Sequence, residues 1–118
     1  MKKRIENWLI KISQDDNDEN GIIALYFGIY ETSTGFCLYL TGSKEYDTTD
    51  DDWACSVDFE PKENYLSIDS TMDWEQFLKT VSAIIEECVN EHPISSAKLF
   101  SGKIIAIGFD DGQILRIK

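Results

Sequence analysis

The side chains able to do chemistry in this chain are three cysteines, one histidine and a large surplus of carboxylates. Cys37, Cys55 and Cys88 are odd in number and form no CxxC pair, which argues against a secreted disulfide framework and against a four-cysteine zinc site. Each lies among apolar neighbours, so the expectation is three buried thiols. His92 stands alone before Pro93, so no multi-histidine metal site can form; its expected place is the end of a helix, near the negative pole of the dipole. There is no glycine-rich phosphate loop, no HExxH and no nucleophile elbow. General acid chemistry needs a carboxyl held in an apolar pocket; Glu31, at a strand end, is no better a candidate than any other strand-end glutamate. Asp47, Asp50, Asp51 and Asp52 could gather a divalent cation, but they lie in a polar stretch with no rigid element to preorganise them. The segment from Asp15 departs from a calcium loop, with Asn20 at the sixth position and Tyr26 at the twelfth. The expectation is a chain that is not an enzyme and takes no cofactor and no metal.

The carboxylates point to binding instead. The 118 residues hold 22 acids against 11 lysines and arginines, a net charge of -11. Residues 1–12 carry four bases and one acid, residues 13–63 thirteen acids and two bases, and residues 64–118 eight acids and five bases. The densest clusters are Asp15, Asp16, Asp18 and Glu19, and then Glu45, Asp47, Asp50, Asp51 and Asp52, continued by Asp58, Glu60 and Glu63. Such a field repels nucleic-acid phosphates and anionic membranes and attracts basic surfaces. No nucleic-acid and no membrane partner is expected. Tyr46 precedes the aspartate run and Trp53 follows it. Aromatic anchors beside carboxylates that steer and pair with lysine and arginine are what a site for a basic protein needs. A second acidic pair, Asp110 and Asp111, marks the tip of a C-terminal hairpin. The candidate partner-binding set is Tyr46, Asp47, Asp50, Asp51, Asp52, Trp53, Asp110 and Asp111. A plainer reading is preferred for some: Trp53 and Phe59 as core residues of an alternating strand, and Asp110 and Asp111 as turn chemistry.

These residues must be carried by a small set of elements. Ile5, Trp8, Leu9 and Ile12 fall on one face of a helix over 2–13. The polar DDNDENG that follows reads as a loop ending at Gly21. Residues 22–31 and 36–41 read as strands joined by the TSTG turn, a hairpin. Trp53, Cys55, Val57 and Phe59 alternate with Ala54, Ser56 and Asp58, the period of a half-buried strand, ended by Pro61. Residues 65–68 suggest a further short strand. Ser70 or Thr71 can cap a second helix over about 73–91, whose stripe runs from Trp74 to Val89 and which Pro93 stops. Residues 103–109 and 113–117 form the last hairpin around Asp110-Asp111-Gly112. The fold class is α+β: a single domain, 1–118, with one mostly antiparallel sheet, an N-terminal helix and a second long helix packed against it, in the order α-β-β-β-(β)-α-β-β. The basic N-terminus lacks the apolar run and cleavage site of a signal peptide, and no apolar run reaches membrane-spanning length, so a soluble cytoplasmic chain is expected.

The stretches DDDWACSVDFEPKENYL (50–66) and GFDDGQILRIK (108–118), together with the acidity, the size and the element order, resemble the small cytosolic immunity proteins of bacterial polymorphic toxin and contact-dependent growth inhibition systems. The resemblance implies a protein that binds the C-terminal domain of a cognate toxin and blocks its active site or an adjacent exosite, without cofactor or catalysis. The expected mechanism is steric and electrostatic occlusion of a basic toxin, a nuclease being the kind whose groove is built for phosphate. Asp50, Asp51 and Asp52 would pair with its lysines or arginines, Tyr46 would anchor, and Asp110 and Asp111 would give a second contact. The rival reading is a structural or regulatory subunit for another basic protein; a ligand pocket between helix 73–91 and the sheet is a further one. A monomer is expected.

Overall fold

The computed structural model of the chain describes residues 1–14, 21–49, 51–55, 57–62, 64–91, 94–110, 112 and 114–118. Helix α1 is Lys2–Ser13 and buries Ile5, Trp8, Leu9 and Ile12, the spacing that puts one apolar stripe against a core. Strands β1 (Ala24–Glu31) and β2 (Gly35–Ser43) form the expected hairpin. Strand β3 is Leu66–Asp69, helix α2 is Trp74–Val89, and strands β4 and β5 are Ile104–Phe109 and Leu115–Arg116. Short 3-10 helices lie at Asp51–Cys55 and Ile94–Ser96.

The strand order is β3-β2-β1-β4-β5. The pairs β1–β2, β2–β3 and β4–β5 are antiparallel, and β1–β4 is parallel, so α2 belongs to the crossover that returns the chain alongside β1. The observed order is α-β-β-β-α-β-β, an α+β fold with both helices on one face of a mostly antiparallel sheet. The side chains of β1 that point to that face, Leu25, Phe27 and Ile29, are fully buried, as are Leu38 and Leu40 of β2 and Ile105 and Ile107 of β4. Phe27 stacks on Phe100 and takes the edge of Trp8, while Phe36 stacks on Phe77 of α2 at 3.9 Å between centroids. Burial of each such ring stabilises the fold by about 1.5–3 kcal/mol.

The helix ends carry an unusual charge pattern. Lys2, Lys3 and Arg4 sit at the N-terminus of α1, where the dipole disfavours cations, and the last turn of α2 has Glu86 and Glu87 but no base. The two ends meet: Lys2 donates to the Glu87 carboxylate, so each helix neutralises the other's misplaced charge.

Four local expectations change. The described residues of 53–59 form no strand: Asp51–Cys55 is a 3-10 helix, and the β2 backbone is met at Gly42 alone, by Phe59 as an isolated bridge and by the Asp58 N–H, which donates to the Gly42 carbonyl at 2.9 Å. The neighbours Trp53 and Ala54 are both buried while Cys55 is exposed, a helical rather than an alternating pattern, and the partner place beside β2 is taken by β3. Cys55 is thus an exposed thiol; Cys37 and Cys88 are buried as expected, and burial pushes the Cys88 thiol pKa up. The α2 cap is Asp73, whose Oδ1 accepts from the Gln76 N–H at 2.8 Å. Trp74, counted within the α2 stripe, is half exposed and packs edge-on against Phe109. His92 and the Asp15–Glu19 cluster lie outside the described residues. Among the described residues no helix is long and apolar enough to cross a membrane.

Candidate functional site

Strand alternation gives the sheet a second face, away from the helices. Ala24, Tyr26, Gly28 and Tyr30 of β1 point there, with Tyr39 and Thr41 of β2 and Ala106 and Gly108 of β4. One half of this face is covered. The 3-10 helix lays Trp53 and Ala54 over Ala24, Tyr26 and Ala106, a small second core. Trp53 takes the edge of Tyr46 at 5.1 Å, and the Arg116 guanidinium lies 5.6 Å from the centre of the Tyr46 ring. The connection is tied to β2 by the Lys44 N–H, which donates to Asp58 Oδ2 at 2.8 Å.

The other half is open and made of tyrosine. Register places Gly28 opposite Tyr39, and the Tyr39 ring lies across the glycine: a Cβ on Gly28 would stand 2.0 Å from Tyr39 Cζ. The Tyr39 hydroxyl donates to the Asp110 carboxylate beyond the end of β4. Rings of Tyr26, Tyr30 and Tyr65 surround it, each 6.2 Å from it between centroids. The Tyr26 hydroxyl turns inward and donates to the Gly108 carbonyl at 3.1 Å. Burial and the bond to Asp110 hold the Tyr39 phenol well above the ordinary tyrosine pKa, so it stays a donor.

Two clefts flank the Tyr39 ring. The first, of about 400 Å³, runs between the 3-10 helix and the β4–β5 turn and is lined by Tyr26, Tyr39, Asp52, Cys55, Asp110 and Ile114 among others. The second, of about 370 Å³, is lined by Tyr30, Tyr39, Tyr65, Val57, Glu60 and Asp110, with Thr41. Among the described residues, no lysine or arginine lines either.

The sequence-derived set divides accordingly. Asp52 and Asp110, from distant segments, face one cleft. Trp53 is 5 % exposed and holds the acidic segment on the sheet rather than presenting itself to a partner. Tyr46 is half-buried between Trp53 and Arg116. Asp47 closes its own turn, accepting from the Thr49 N–H at 2.9 Å and hydroxyl at 2.8 Å, which lowers its pKa. Asp51 is placed by its backbone in the 3-10 helix; Asp50 and Asp111 lie outside the described residues. Tyr26, Tyr30 and Tyr39 were not singled out from sequence, and Glu60, named there in the acidic run, and Tyr65 were not in the partner-binding set. The signal was available in part: the 31-to-36 turn fixes Gly28 opposite Tyr39, and period two puts Tyr26, Gly28 and Tyr30 on one face.

The tyrosine hydroxyls are donors and weak acceptors, the carboxylates are acceptors, and among the described residues no group of three or more His, Cys, Asp or Glu is placed to hold a metal ion. The face is suited to receiving cationic and apolar groups of a partner. Comparison with protein-family models, curated proteins and solved structures finds no match for the chain.

Proposed function

We propose that this chain is a non-catalytic binding protein that docks a basic protein on the open face of its sheet, and that the partner is a toxin domain whose active groove it occludes in the cytoplasm. The observation that carries the reading is the shared cleft: Asp52 from the acidic connection and Asp110 from the end of β4 line it together with Tyr26 and Tyr39. Aromatic area flanked by carboxylates supports both halves of such an interaction. The net charge of -11 accelerates encounter with a cationic surface, and half-exposed tyrosines supply contact area at small entropic cost. The toxin assignment follows the resemblance of 50–66 and 108–118 to immunity proteins.

The test is titration calorimetry and stopped-flow association against the toxin domain encoded beside this chain, with wild type and the variant Asp52→Asn/Asp110→Asn. The expected result is a lower affinity, a slower association at low salt and a shallower salt dependence in the variant. Unchanged affinity and association rate at low salt would remove the acidic cleft from the interface. A tightly bound basic partner without toxicity would move the assignment to a regulatory subunit.

A further inference from the structure

The second cleft has a composition that the general docking surface does not require. Three tyrosine rings, Tyr30, Tyr39 and Tyr65, stand in a row with 6.2 Å between successive centroids, and Glu60 and Asp110 are the carboxylates of the same hollow. Tyr65 and Tyr30 are 64 % and 38 % exposed, so their faces remain available to an incoming group. The Tyr39 ring between them cannot turn down into the sheet, because Gly28 already lies beneath it, and its hydroxyl is bound to Asp110. The row is a π surface fixed at its central ring, with Tyr30 and Tyr65 tilted by 39° and 47° to Tyr39 and negative charge beside it. A planar cation with several N–H donors matches both parts at once: its face stacks on a ring, and its edge donates to a carboxylate. The same face already holds one such group, since Arg116 lies over Tyr46 at 5.6 Å.

We infer that the Tyr30–Tyr39–Tyr65 cleft is a slot for one arginine side chain of the partner protein, with the guanidinium on the tyrosine row and its N–H edge on Glu60 and Asp110. This rests on the proposed docking of a basic partner and names the group that enters. Lysine is the weaker occupant, because an ammonium is a compact, strongly hydrated charge that offers no plane to stack.

The slot is tested on the full chain with three probes: the blocked tripeptide Gly-Arg-Gly, its lysine counterpart, and its citrulline counterpart, which keeps the shape and loses the charge. Binding is followed through the ring resonances of Tyr30, Tyr39 and Tyr65. The expected result is a saturable displacement of all three by the arginine peptide, binding about ten-fold weaker for lysine, and no saturable response to citrulline. Glu60→Gln should weaken the arginine peptide about ten-fold while the sheet resonances stay in place. Equal responses to arginine and citrulline, or displacement confined to Tyr46, would overturn the slot, as would a Glu60→Gln chain that binds like wild type. Absence of any response at the highest soluble peptide concentration also overturns it. A chain that captures the toxin domain yet ignores the arginine peptide loses the slot and keeps the docking reading; one that binds the peptide but no basic protein does the reverse.

Discussion

Gly28→Ala should release Tyr39 while leaving the fold almost as stable as before. The new Cβ would stand 2.0 Å from Tyr39 Cζ, 2.3 Å from the hydroxyl oxygen and 2.4 Å from Cε1. Carbon atoms settle at about 3.5 Å, so the ring must retreat by ~1.5 Å or swing aside. It is the far end of a side chain with a free solvent side, so the backbone need not yield. What is lost is the hydrogen bond to Asp110, about 1 kcal/mol for a carboxylate acceptor open to solvent, and roughly 0.5 kcal/mol of edge contact with Tyr26. Alanine returns about 0.5–1 kcal/mol, because glycine is a poor strand residue. The net change is a destabilisation of about 0.5–1 kcal/mol, small against a typical folding free energy.

The protonation of Tyr39 should change far more. In the wild type, burial first and the bond to Asp110 second hold the phenol above its ordinary pKa. The proton is bound more tightly in the folded state than in the unfolded one. The stabilisation is therefore complete below the unfolded tyrosine pKa of about 10 and is lost as pH rises from there toward the folded value. The slope cannot exceed ~1.4 kcal/mol per pH unit, the one-proton limit, and water reaching the ring reduces the total. The assay is a 13C NMR titration of the tyrosine Cζ resonances, with urea unfolding at a series of alkaline pH values alongside. Tyr39 should remain protonated beyond the range of free tyrosine in the wild type and ionise earlier in Gly28→Ala. Tyr39→Phe should lose the corresponding part of the alkaline slope. A wild-type Tyr39 that titrates like free tyrosine, or a Gly28→Ala chain in which its titration does not move, would refute the account of the ring lying on the glycine.

Three further outcomes follow from other parts of the molecule. Asp73→Ala should destabilise the chain by about 1 kcal/mol in urea unfolding, since it removes the acceptor of the Gln76 N–H at the start of α2. Asn64→Ala should cost about 1–3 kcal/mol in the same assay, because Asn64 Oδ1 is the acceptor for the buried Leu40 N–H at 2.7 Å where β2 runs past the end of β3. Lys2 holds the Glu87 carboxyl below its ordinary pKa, so that pair's contribution is complete above the unfolded glutamate value and disappears as pH falls through the lowered folded one. Glu87→Gln should therefore flatten the acid limb of stability between about pH 5 and pH 3, and a limb identical to wild type would remove the pair as a contributor.

How far the molecule could be read from its sequence depended on whether a local pattern had one solution. Ile5, Trp8, Leu9 and Ile12 allow a single helical face, and α1 has the expected bounds. The TSTG turn between two β-branched, aromatic runs allows one hairpin, and β1 and β2 formed it. The run from Trp53 to Phe59 had two solutions. Period two suited a strand, but three preceding aspartates suit the start of a helical turn, and the decision lay with β2, whose edge is occupied by Leu66–Asp69. The site was split in the same way. Asp52 and Asp110 stood in the sequence as separate acidic segments, because their sharing a cleft needs the parallel β1–β4 pair, a long-range choice that no local pattern encodes. The tyrosine row is a product of register, which makes neighbours of Tyr30 in β1, Tyr39 in β2 and Tyr65, the residue before β3.

The two faces of the sheet solve different problems with similar residues. On the helix side, phenylalanine and branched aliphatic side chains are sealed by α1 and α2. On the other side, glycine and alanine at 24, 28, 106 and 108 lower the floor, so that Tyr39 and Trp53 lie along the sheet instead of standing on it. A layer of flat rings with hydroxyls satisfied by Asp110 and the Gly108 carbonyl tolerates water better than a second apolar core would. Left neutral, such a face would also invite a second copy of the chain. The carboxylates of Asp52, Glu60 and Asp110 oppose that, because two copies meeting face to face would bring like charges into a closing, drying contact. The same repulsion becomes attraction when the incoming surface is basic. Under the proposed docking, charge placement selects against the identical partner and for a cationic one, without altering the aromatic area that either would bury.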